Sequence, residues 1–208
     1  MEKVAWHLHQ PQNRKFDDTI VFVHHWGADQ RALKAHVDMV LNWGFQAVTF
    51  DQSCHRLPAE ILPLLPSPKN LQKLKSLGRK EVLQHFHEQI LHLELPSKER
   101  AWLAAKGLRF LWKEEIHSIL DDLQDPKILY TFSFPSSAAL MALAERREND
   151  VKAWVCDGGP FLSLHRCLSN YFKKQAPIPN ILLRELVTLL SYSLIGGATY
   201  KRDIKRSE

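Results

Sequence analysis

Acyl transfer needs a nucleophile held clear of its neighbours, a base to take its proton, an acid to orient that base, and donors for the developing oxyanion. Ser133 is placed for the first task, standing where the strand-like run KILYTFS meets the small-residue helical run SSAALMALAERR. A sharp strand-to-helix turn would present its hydroxyl and leave the Phe134 amide as an oxyanion donor. Far upstream, the apolar run TIVFV ends in His24-His25-Trp26-Gly27. A chain that turns sharply after a buried strand offers a second amide, that of Trp26, and donors of this kind contribute roughly 3 to 4 kcal/mol each. The His25 ring beside it is a candidate substrate contact; otherwise His24 and His25 are ordinary loop histidines. Serine ahead of a helix is also a common N-cap. The residues around Ser133 alone leave nucleophile and cap both open.

The elements that must position these groups alternate along the chain. Residues 4–9 are short and apolar-rich, as an opening strand would be. TIVFVH is a continuous β-branched and aromatic run, the pattern of a strand buried on both faces. ALKAHVDMVLNW follows with helical spacing and Gly44 at its stop, and FQAVTFD reads as the next strand. A strand-helix-strand unit of this length implies a parallel sheet. The stretch from Asp51 to Lys127 is about three times the roughly 20–30 residues that one crossover requires, so an insert is expected over residues 53–105. Its first part is proline-rich, its second helical and basic. It reads as a lid over the sheet or as a surface decoration. LRFLWKEEIHSILDDL then leads into the Ser133 strand, and VKAWVCD is a further strand. Residues 162–208 are expected to be helical, broken by Pro177 and Pro179. The fold class is therefore α/β: a mostly parallel open sheet with helices on both faces, in a single domain.

Residues 18–161 resemble the N-terminal two-thirds of an α/β-hydrolase domain. FVHHWG matches the oxyanion strand and loop, GFQAVTFD the following strand, YTFSFPSSAAL the nucleophile elbow and VKAWVCDGGPF the strand after it. The elbow departs from Gly-x-Ser-x-Gly: Thr131 and Pro135 replace the two glycines. Threonine is modest in size, and the fixed φ of proline suits a first helical turn. The resemblance implies a serine hydrolase that cleaves a carboxylic ester or related acyl bond through a Ser133 acyl-enzyme, without a cofactor or metal. It makes Asp157, at the end of the strand after the elbow, the candidate acid, against a plain capping role at the Gly158-Gly159-Pro160 turn. It also implies a late histidine, and the single histidine after Asp157 is His165, within a helical run. The chain is accordingly expected to be the front part of a longer domain, poorly active alone and open to self-association through the sheet edge at Asp157. The alternative is a non-catalytic binding protein or degenerate relative that keeps the sheet and pocket.

Composition narrows the rest. With 208 residues and 45% hydrophobic content the chain can bury one substantial core. Its charge of +5, from 28 basic against 23 acidic residues, is scattered except for the tail KRDIKR, which argues against a nucleic-acid partner; a small-molecule acyl substrate is what the resemblance implies. Cys54, Cys156 and Cys167 form neither a disulfide framework nor a zinc site, as expected in a reducing cytoplasm. His85, His87 and His92 lack a partner at metal-binding spacing and read as a solvated helix face. The opening MEKVAWHLHQPQNRKF shows neither an apolar h-region nor a small-residue cleavage site, so export is not expected. Arg184 and Glu185 interrupt the longest apolar stretch, 181–198, which reads as an amphipathic helix and not as an integral membrane segment. No glycine-rich phosphate loop follows any strand.

Overall fold

The computed structural model describes residues 4–53, 107–146, 150–159, 163–174, 181–197 and 199–207. The expected insert 53–105, apart from Ser53, and with it Cys54, His85, His87 and His92, lies outside the described residues. Two compact units divide the chain: Met1–Arg56, Trp112–Phe161 and Arg202–Glu208 in the first, Leu57–Leu111 and Leu162–Lys201 in the second.

The first unit holds five strands, β1 (Trp6–His9), β2 (Thr19–Val23), β3 (Gln46–Phe50), β4 (Lys127–Phe132) and β5 (Val151–Asp157). They form one sheet in the order β1-β3-β2-β4-β5. Three neighbouring pairs are parallel, and β1 runs antiparallel to β3. This is the α/β class with a mostly parallel sheet that the alternation of runs predicts. Every residue of β2 and β3 is buried, as their largely apolar and β-branched runs require for central strands covered on both faces. At the edge, β5 alternates between half-buried and exposed positions, with Val155 exposed.

Helix α1 (Lys34–Trp43) connects β2 to β3 and buries Val37 and Val40. With Leu33 they form a cluster over Ile20, Phe22 and Ala47, against which Ile128, Tyr130 and Phe132 of β4 pack. The helix stops at Gly44, whose φ of +101° gives a left-handed cap that glycine adopts without steric cost. A Cβ there would lie 2.8 Å from Lys15 Cγ and 3.0 Å from Asn13 O, so the close approach of the 13–15 segment also demands glycine. Helix α2 (Leu108–Asp122) buries Trp112, Ile116, Ile119 and Leu120 completely or nearly so, one stripe at helical spacing. Helix α3 (Ser136–Glu145) follows β4 and buries Ala138, Ala139, Met141 and Ala142.

The second unit is helical where described. Helix α4 (Leu164–Lys174) buries Leu164, Leu168 and Phe172, each one turn apart, and packs on α5 (Ile181–Leu194). Arg109, fully buried in the same unit, donates to Gly196 O and Thr199 Oγ1 and lies over the Tyr200 ring, with 4.9 Å from its Cζ to the ring centroid. A last helix, α6 (Tyr200–Ser207), ends the described chain. Among the described residues no helix is long and apolar enough to cross a membrane.

Ion pairs gather where β4 and β5 begin. Lys127 Nζ meets Asp150 Oδ2 at 2.7 Å with its own side chain 3% exposed, and Arg146 reaches Asp150 at 2.7 Å and Asp121 at 2.6 Å. Burial alone would raise the Asp150 carboxyl, but its bonds from Lys127 and Arg146 outweigh that and hold it below the usual carboxylate range. A lowered folded pKa contributes stability above the unfolded value of about 4, and that contribution is lost as pH falls through the folded value. Asp150→Asn should therefore cost about 3 kcal/mol at neutral pH, because it strands the buried Lys127 ammonium. In urea unfolding, the gap between wild type and variant should close as pH drops below about 4.

Candidate active site

The two candidate loops end neighbouring strands. Because Val23 of β2 pairs in register with Thr131 of β4, the 24–27 segment and the 132–134 segment leave the same carboxyl edge of the sheet side by side. The aromatic rings confirm the approach: Trp26 and Phe134 meet edge to face, centroids 6.1 Å apart and planes at 73°.

Ser133 has φ +59°, and among the described residues it is the one non-glycine residue with positive φ. For an L-residue this left-handed conformation costs roughly 1–3 kcal/mol, and it persists where the surroundings enforce it. The enforcement is visible. The Ser133 amide donates to Asp157 O at 2.8 Å, tying the turn to the end of β5. The Ser133 carbonyl accepts from Ser136 N at 3.1 Å and that of Phe134 from Ser137 N at 3.1 Å, so the chain passes at once from strand to helix. Pro135, with φ −58°, fits the first bend of that helix.

The capping alternative does not hold. The residue that caps α3 is Pro135, and no side chain caps the helix. Ser133 Oγ makes no hydrogen bond among the described residues, to a backbone amide or to a histidine. The nucleophile candidate is thus placed as an elbow would place it, without a base in contact.

The donors are equally open. Neither the Trp26 amide nor the Phe134 amide has an acceptor among the described residues. Trp26 lies in a turn closed by Ala28 N donating to His25 O at 3.2 Å, with Gly27 at φ +92°. That geometry is a type II turn, which needs glycine at its third position. The Trp26 indole Nε1 is buried and unbonded, and the His25 ring is exposed.

Side chains from β3 and α2 brace this corner. Asp51 accepts from the Gln30 amide at 2.8 Å, anchoring the chain beyond the turn. His24, fully buried, is the residue that a reading as ordinary loop histidines misses. Its Nδ1 donates to His25 O at 3.0 Å and its Nε2 accepts from Gln52 N at 3.2 Å. Since Nε2 is an acceptor here, its 3.9 Å approach to Asp51 Oδ1 is not an ion pair. Nothing in the sequence marks His24 as buried beyond its place directly after VFV. Just past Gln52, the buried Glu115 carboxylate takes the Ser53 amide at 3.2 and 3.3 Å while Trp112 Nε1 donates to Ser53 O at 2.8 Å.

The remaining candidates stand apart. The Asp157 side chain is exposed and has no partner among the described residues, although its carbonyl holds Ser133. His165 lies in the second unit, its ring 6.0 Å from that of Tyr192. An open polar depression of about 620 Å³ lies instead between the 10–15 segment and the end of α1, lined by residues such as Gln10, Lys15, Asp38 and Asn42. It contains no nucleophile and none of the elbow residues.

If the left-handed turn is held in solution, Ser133→Gly should be more stable than Ser133→Ala by about 1 kcal/mol, because relief of the left-handed penalty exceeds the extra unfolded-state entropy of glycine. Thermal denaturation of the two variants reads the difference. An alanine variant as stable as the glycine variant would mean that the turn relaxes.

Comparison with protein-family models and with curated proteins finds no match to this chain, so its function has to be read from the elbow and the groups around it.

Proposed function

We propose that this chain carries the catalytic core of an α/β-hydrolase-like serine hydrolase that acts on a carboxylic ester or related acyl bond. The observation that carries the reading is the strained backbone of Ser133 at a strand-to-helix turn. Strain of this kind clusters at functional sites, where it exposes a reacting group. The turn lies at the carboxyl edge of parallel strands, where open α/β sheets bind their ligands.

In the proposed reaction Ser133 Oγ attacks the substrate carbonyl carbon and gives its proton to a base. The carbonyl oxygen becomes an oxyanion held by the Trp26 and Phe134 amides, whose lack of an acceptor among the described residues supports this role. Collapse breaks the bond to the leaving oxygen, which takes the proton back from the base and departs as the alcohol, leaving an acyl-enzyme. Water then releases the acid and restores the serine. Asp157, one hydrogen bond from the elbow through its backbone, is the candidate acid; no described histidine takes the role of base.

The unpartnered Ser133 hydroxyl favours a second reading, a non-catalytic relative that keeps the fold and binds a small acyl ligand without turnover. A fluorophosphonate probe separates the two. Covalent labelling on the Ser133 peptide, seen by mass spectrometry and absent in Ser133→Ala, is expected for the hydrolase, and short-chain nitrophenyl ester hydrolysis should vanish with it. A folded wild-type chain that neither labels nor hydrolyses would favour the second reading.

A further inference from the structure

We propose that His24 is a positioning residue for the oxyanion side of this site, fixing the direction of the Trp26 amide; the inference rests on the serine-hydrolase reading. The argument runs through one peptide group. The His25 carbonyl and the Trp26 N–H belong to the same planar unit, and the described chain has no cis peptide bond. In a trans peptide the two groups point in opposite directions, so whatever holds the carbonyl aims the amide. The His25 carbonyl is held twice, by His24 Nδ1 at 3.0 Å and by Ala28 N at 3.2 Å. With the oxygen drawn toward the His24 ring, the Trp26 N–H faces away from it, with no acceptor of its own among the described residues.

The ring in turn is fixed from its far side. Its Nε2 takes the Gln52 amide at 3.2 Å, just beyond the end of β3, so the oxyanion loop is referenced to the next strand and not only to its own. Both contacts together require the neutral tautomer that carries its proton on Nδ1. That assignment also removes His24 from the list of bases, because its lone pair is engaged and the ring is 0% exposed.

Two amide substitutions separate the contacts. His24→Asn places a side-chain NH2 near the position of Nδ1 and keeps a donor for the His25 carbonyl while losing the reach to Gln52. His24→Gln reaches Gln52 and leaves the His25 carbonyl without its side-chain donor. With a nitrophenyl ester as substrate, kcat of the Asn variant should stay within about threefold of wild type and that of the Gln variant should fall tenfold or more, with KM within about twofold in both, because an oxyanion donor acts in the transition state. Probe labelling of Ser133 should slow in the same order. Equal kcat in the two variants, a Gln variant faster than the Asn variant, or a loss confined to KM would overturn the positioning role while leaving the hydrolase reading in place. A wild-type chain inert to both ester and fluorophosphonate would bring down the hydrolase reading, and this inference with it.

Discussion

One hydrogen bond, from the Ser133 amide to the Asp157 carbonyl, ties the strand-to-helix turn after β4 to the end of β5. Left alone, a serine at φ +59° would relax toward the allowed helical or extended region. It is kept there because β4 is paired on both sides, to β2 and to β5, and because α3 begins within three residues. The sheet thus stores strain at one residue and spreads the cost over many ordinary contacts.

The same strands divide their labour along their length. At their starting ends, Lys127, Arg146, Asp150 and Asp121 form a partly buried charge network. At their carboxyl ends the side chains instead fix loops: Asp51 holds Gln30, His24 holds Gln52, and Glu115 with Trp112 holds Ser53. Backbone amides released from the ladder at that end, those of Trp26 and Phe134, have no acceptor among the described residues.

Much of the fold is legible in the chain because burial on two faces leaves a plain mark. TIVFV and, after Gln46, AVTF are apolar or β-branched without a break and lie in the central strands. Gly44 ends α1 as its position indicates, and VKAWVCD is a strand over its full length. The opening segment is less informative: Trp6–His9 is a strand, but its antiparallel pairing with β3 depends on partners far along the chain. The site is legible in part. Ser133, Trp26 and Phe134 stand out through strand-to-loop junctions, which are local; the bracing by His24, Gln52 and Glu115 is not, since each bond joins segments that local periodicity treats separately.

By itself, then, the sequence determined which segments are strands and helices and which serine lies at a junction, because those depend on patterns within a few residues. Tertiary structure decided whether that serine caps a helix or occupies a left-handed elbow. The choice depends on where the Asp157 carbonyl lies and on Pro135 taking the cap position. It also decided that His24 is a buried strut while His25 faces solvent. Two adjacent histidines have the same local chemistry, and only the packing of β3 beside β2 supplies one of them with the Gln52 amide to accept from, while the carbonyl it holds is that of its own neighbour.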